Sequence, residues 1–156
     1  MMSIQSLRQT PTWLLFAAML GLLFTVPAQA DSAKELAEEH NADWNRLFNA
    51  EKVDELTQLY AEDAVVSPAS GEVIKGREAI DELFQGYIDN GLNKHRLTVV
   101  ESGGAGPWFY EVAEWRVSGA PQNAVIPLYK GIATIIFKRH DNGEWLIHSH
   151  TWNQEK

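Results

Sequence analysis

His148 and His150 stand two residues apart in His148-Ser149-His150, near the end of the chain. In an extended segment that spacing throws both imidazoles to one side, where they can share a proton or begin a metal site. A third ligand would have to come from Glu111 or His95. Two histidines without a fixed third partner more commonly hydrogen-bond inside a polar cavity, so neither a metal nor a cofactor is expected. Glu111 is the other group of interest. Along Trp108–Ser118 the odd positions Phe109, Glu111, Ala113, Trp115 and Val117 are the more apolar set, which leaves Glu111 as the one acid on that face. A carboxyl held in apolar surroundings has a raised pKa and can act as a general acid or base. The catalytic candidates are therefore Glu111, His148 and His150. Tyr60, His95, Tyr129 and Trp152 join them as ligand-binding candidates, with plain core packing as the alternative role for the three aromatics.

These residues need elements to hold them. Helical spacing of Leu36, His40, Asp43/Trp44, Leu47 and Phe48 predicts a first helix, capped at Asp31 or Ser32. Val53, Leu56, Leu59 and Tyr60 predict a second, and Arg77–Tyr87 a third, ended by Gly91. Ala64-Val65-Val66 reads as a brief extended piece between them, and Asp63 as a carboxylate fixing the turn after Tyr60. The second half alternates as strands do: His95–Glu101, Trp108–Ser118, about 126–139 and 144–153, with turns at Gly103–Gly106, Gly119-Ala120-Pro121 and Asp141-Asn142-Gly143. The fold class is α+β: a curved antiparallel sheet of about four strands wrapped on three N-terminal helices. On the last strand Leu146, His148, His150 and Trp152 share one side, taken as the cavity side. Arg96 and Arg116 could anchor an anion, but their parity points outward.

Residues 1–30 read as a signal peptide. Arg8 is followed by the apolar run Trp13–Phe24, then Pro27 and the small-residue step Ala28-Gln29-Ala30 before Asp31. The run is short for a membrane span, which needs about 20 apolar residues. A periplasmic or secreted location is expected, with no stable membrane insertion after cleavage. The chain has no cysteine, so no disulfide and no lipid-anchored cysteine, and the fold must hold by packing. Residues 31–156 form one domain with 12 basic against 21 acidic residues, a net −9. That charge disfavours nucleic acid as a partner. The domain holds five of the six tryptophans and all four tyrosines, enough aromatic surface for a core and a lined cavity.

The segments Phe48-Asn49-Ala50, Leu56–Ala64, Lys75–Ile80 and Gly143–Asn153, in this order, resemble the nuclear transport factor 2-like superfamily. The nearest look-alikes are ketosteroid-isomerase-like and polyketide-cyclase (SnoaL)-like domains. The ending, with its H-x-H after a Trp, is similar to the association domain of calcium/calmodulin-dependent protein kinase. The resemblance implies a cone with a cavity at its open end, commonly in a homodimer. It also implies where isomerase chemistry would sit, and there this chain departs. Ser67-Pro68 stands where those enzymes carry the base in an Asp-Pro step, and Trp44 stands where they carry an oxyanion-stabilising tyrosine. Steroid isomerisation is therefore not expected. Three functions remain: a small-molecule-binding domain holding a partly apolar ligand, an enzyme of proton transfer or hydration using Glu111 with the histidines, or a homo-oligomerisation module without turnover.

Overall fold

The computed structural model describes residues 27–156, with side chains from Ser32 onward. The signal-peptide assignment falls mainly outside the described residues; Pro27–Ala30 form the first turn of helix α1. Among the described residues no helix is long and apolar enough to cross a membrane.

Helix α1 (Pro27–Asn49) starts earlier than Asp31 or Ser32, since proline is tolerated at a first helical position. It buries a stripe of Ala33, Ala37, Asn41, Trp44, Leu47 and Phe48, at three- and four-residue steps. Glu51 at φ +58° and the Lys52 amide bonded to the Leu47 carbonyl close it in a Schellman turn. Helix α2 (Val53–Thr57) is one short turn, and helix α3 (Arg77–Asp89) buries Ile80 and Phe84. Gly91 ends α3 as the sequence suggests: it takes φ +80°, and a Cβ there would press on the Ala120 methyl.

Among the described residues the sheet has six strands where about four were expected, and it is mixed. Strands β1 (Tyr60–Ser67), β2 (Ile74–Lys75), β3 (Asn93–Ala105), β4 (Trp108–Ser118), β5 (Leu128–Arg139) and β6 (Trp145–Trp152) lie in the order β2-β1-β6-β5-β4-β3. All neighbours are antiparallel except β1 and β6. The second helix is thus shorter than expected, because Tyr60 already opens a strand. A register irregularity between Tyr60 and Val65 hides that strand's alternation: Tyr60 and Ala61 are buried, Glu62 and Asp63 exposed, and Ala64 and Val66 buried again. Asp63 therefore fixes no turn; it lies exposed on β1. The glycines at 103 and 104 belong to β3, and the chain turns only at Gly106-Pro107.

The core sits between α1, α3 and the concave face of this curved, unclosed sheet. On β4 the odd face Phe109, Glu111, Ala113, Trp115 and Val117 is buried, and on β5 Gly131, Ala133, Ile135 and Phe137. Phe109 and Phe137 are register partners and stack at 4.1 Å. On β3 a bulge between Val99 and Glu101 reverses the parity, so Glu101 turns to solvent although Leu97 is buried.

Candidate functional site

A cavity of about 650 Å³ opens at one end of the concave face. Helix α1 supplies Trp44 and Phe48, α3 supplies Phe84 and Tyr87, and β3 supplies His95 and Leu97. Trp115 and Val117 come from β4, Tyr129 from β5, and His150 and Trp152 from β6. Ala69, Ser70, Asn90, Leu92 and Gln154 complete the lining, and none of these residues is Asp, Glu, Lys or Arg. Gly131 lets Trp115 and the chain end approach the wall. A Cβ at Gly131 would run into the Asn153 carbonyl, which accepts the Trp115 Nε1–H at 3.0 Å.

Trp44 is the hub of the polar part. Its Nε1–H donates to the Tyr60 hydroxyl at 2.9 Å, and that hydroxyl lies 2.9 Å from His150 Nδ1. Its ring stacks on Phe48 at 5.2 Å and lies 4.3 Å from the His95 ring. His95 Nδ1 in turn sits 3.0 Å from Asn45 Oδ1, one residue along α1 from Trp44. Burial holds both histidines neutral, with each pKa pushed down to about 3; for His95 the neighbouring His150 adds to the effect. Burial likewise lifts the Tyr60 phenol far above its ordinary value, against a smaller opposite pull from the Trp44 bond.

Of the sequence-predicted residues, the fold brings His95, Tyr129, His150 and Trp152 together around one cavity. The other three are placed differently. Tyr60 is wholly buried behind His150 and supports it without lining the cavity. Glu111 is also wholly buried, but at the closed end of the cone. It lies four residues along β4 from Trp115, about 13 Å at the rise of a strand. One carboxylate oxygen accepts the Asn41 amide at 2.9 Å, and the other has no partner among the described residues. Burial pushes its pKa up to about 7 despite that bond.

His148 is the third. Ile136 of β5 faces Ser149, but Phe137, one residue on, faces Ile147, so β6 carries an extra residue at His148. That bulge breaks the alternation. His150 and Ile147 are both buried inside, while the His148 ring packs edge-on against exposed Trp108, 5.2 Å away on the convex face. The H-x-H pair therefore faces two sides of the sheet and shares neither proton nor metal. Among the described residues no three His, Cys, Asp or Glu side chains are grouped to hold a metal ion.

Sequence reasoning missed Asn45, Asn41, Phe84 and the central place of Trp44. Only Trp44 had a signal, since it stands at the position of a functional tyrosine in the isomerase resemblance.

A cone of helices under a curved, unclosed sheet, with a cavity at its open end, defines the nuclear transport factor 2-like class. The chain belongs to the SnoaL-like domain family, whose model matches residues 42–148. Solved structures agree at the level of fold. A nuclear transport factor 2-like protein with a cystatin-like fold from Novosphingobium aromaticivorans is 18% identical, with 78% of this chain and 81% of that chain covered and a TM-score of 0.66. A ketosteroid isomerase-like protein from Erwinia carotovora atroseptica is 11% identical, with 80% and 95% covered and a TM-score of 0.67. A protein assigned as a calcium/calmodulin-dependent protein kinase II association domain, from Xanthomonas campestris, is 20% identical, with 78% and 86% covered and a TM-score of 0.67. No curated protein sequence matches the chain.

Proposed function

We propose that this chain is an exported small-molecule-binding domain that holds a partly apolar ligand in the cavity at the open end of its cone. One observation carries the reading: a space of about 650 Å³ walled by aromatic rings and two histidines, with no formally charged side chain in its lining. Ligand sites of soluble proteins are concave and mostly apolar, with few polar groups to fix orientation, and their volumes fall in this range. Turnover by proton transfer is the weaker reading. Among the described residues the one carboxyl with a suitably raised pKa, Glu111, is sealed about 13 Å along the strand from the cavity wall. Export is supported by the order of residues in 1–30, a basic start, a short apolar run and a small-residue step before Asp31. Homodimerisation is supported by the convex face, where Trp108, Tyr110, Ile132 and Ile136 are exposed.

Native mass spectrometry of the protein purified from its producing cells tests all three parts. The expected result is a chain beginning at Asp31, a dimeric mass, and a reproducible small-molecule adduct that is lost on denaturation. An adduct-free protein that also shows no thermal shift across a library of uncharged ring compounds overturns the binding reading. An intact N-terminus in the exported fraction overturns signal cleavage, and a monomer at micromolar concentration overturns the dimer.

A further inference from the structure

We infer that the cavity selects an uncharged ring compound bearing a hydroxyl group, with His150 Nε2–H donating to a ligand oxygen and His95 Nε2 accepting the ligand's hydroxyl proton. The inference rests on the binding reading above, because it concerns the ligand of the same cavity. It follows from the tautomers that the surrounding hydrogen bonds impose on the two imidazoles.

Tyr60 has one O–H and is wholly buried. It accepts from Trp44 Nε1, which can only donate, so its own hydrogen must go to His150 Nδ1. The opposite arrangement, with hydrogen on Nδ1, would leave the buried phenol hydrogen without an acceptor. His150 therefore carries its proton on Nε2. At His95 the logic runs the other way. Asn45 Oδ1 is fixed as an acceptor because the Leu97 amide donates to it at 2.8 Å. His95 Nδ1, 3.0 Å from the same oxygen, must therefore be the protonated nitrogen, and Nε2 is left as a bare acceptor. Asn49, one helical turn beyond Asn45, clasps the His95 backbone on both sides, with bonds of 2.8 and 2.6 Å, so this ring is held firmly.

Neither Nε2 bonds to another protein group among the described residues. The buried side-chain atoms without partners there are Glu111 Oε1 and His140 Nε2, so both cavity histidines keep Nε2 accessible. The cavity thus offers one fixed donor and one fixed acceptor among aromatic walls. A carboxylate would find no cation there and could not satisfy His95, and an ammonium would find no anion. The neutrality of both imidazoles agrees with this. A flat ring suits the walls, where Trp44, Phe84, Trp115 and Trp152 present faces and edges.

The test is a tryptophan-fluorescence titration of the purified protein at pH 7 with four probes of one shape: naphthalene, 2-methoxynaphthalene, 2-naphthol and 2-naphthoate. The first offers no polar group, the second an acceptor only, the third donor and acceptor, and the fourth a charge. The expected order of affinity is naphthol, then methoxynaphthalene, then naphthalene, with about three- to tenfold between neighbours, one neutral hydrogen bond each. Naphthoate should be the weakest. His95→Phe should close the gap between naphthol and methoxynaphthalene. The unmutated protein already decides the matter, whatever the variant's stability. Naphthalene binding as tightly as naphthol, or naphthoate binding best, overturns the hydroxyl inference and leaves the cavity as a site. Binding of none of the four overturns both readings.

Discussion

The two ends of the cone bury similar chemistry in opposite ways. At the open end two histidines, a tyrosine, a tryptophan and an asparagine satisfy one another and leave two ring nitrogens for the cavity. At the closed end Glu111 is sealed beneath α1 with one amide partner and an unpaired oxygen. Both regions shift pKa values by burial, yet of His95, His150, Tyr60 and Glu111 only the two histidines, at the open end, line the cavity. A perturbed pKa is therefore a poor guide to function here unless access is asked for as well. On the binding reading proposed above, the open end uses its groups for recognition, while the polar group of the closed end governs pH-dependent stability.

Truncating an aromatic at either end should separate packing from binding, and this is the largest effect expected. Trp44→Ala removes the ring that touches Phe48, Phe84 and His95 and the donor to Tyr60. Phe137→Ala removes the closed-end partner of Phe109 and His40. Each should lower unfolding stability by about 3–5 kcal/mol, read by urea denaturation. Probe affinity should collapse for Trp44→Ala and stay within about threefold for Phe137→Ala, since distant sites act independently. Equal loss of affinity in both would mean that the cone responds as a single unit and that the contrast between its ends is false.

The next effect in size is electrostatic. Glu111 binds its proton more tightly folded, at about 7, than its ordinary value of 4.5. Its contribution is therefore present below pH 4.5 and is lost as pH rises through 7, roughly 3 kcal/mol in all. His95 and His150 have the opposite sign. Their folded pKa lies below the unfolded value, so stability is present above pH 6.5 and drains away as pH falls toward 3. Between pH 4.5 and 6.5 the gain from two histidines outweighs the loss from one carboxyl, so stability rises with pH to a maximum at about 7 and is almost level above it. Glu111→Gln keeps an acceptor for Asn41 and cannot ionise. It should stabilise the protein by about 2 kcal/mol at pH 8 and steepen the acid limb between pH 4.5 and 6.5 by about 1.4 kcal/mol per pH unit, roughly doubling its slope. An acid limb of unchanged slope in the variant would show that Glu111 does not titrate in this range.

Much of this architecture is legible in the sequence, and the failures have a common cause. Strands β4 and β5 pair without interruption over eleven residues of β4, and there the simple alternation of Phe109 to Val117 and Tyr129 to Phe137 predicts the inner face. Gly91 marks the end of α3 because only one backbone conformation closes that turn. Where a bulge intervenes, parity fails: at Glu101 on β3, between Tyr60 and Val65 on β1, and at His148 on β6. A bulge is set by pairing with a distant strand and leaves no periodic trace in the segment itself. The same holds for the site. His95, Tyr129, His150 and Trp152 are found by residue type and strand position. Asn45 and the tautomers it imposes depend on where α1 meets β3, a contact between residues 52 apart in the chain.

The smallest predicted effect tests the least expected of these bulges. If β6 carries its extra residue at His148, that side chain belongs to the convex face with Trp108 and Lys138, whose ammonium lies 5.3 Å from the indole ring centre. His148→Ala should then change monomer stability by less than about 0.5 kcal/mol and leave probe affinity unaltered, as partly exposed surface substitutions do. His150→Ala, two residues on, should close the gap between methoxynaphthalene and naphthalene and orphan the Tyr60 hydroxyl, at about 1–3 kcal/mol. The difference between the two variants is the measurement. A loss of probe affinity in His148→Ala as large as that in His150→Ala would put both rings on one side of β6, remove the bulge, and restore the paired site that the sequence spacing suggests.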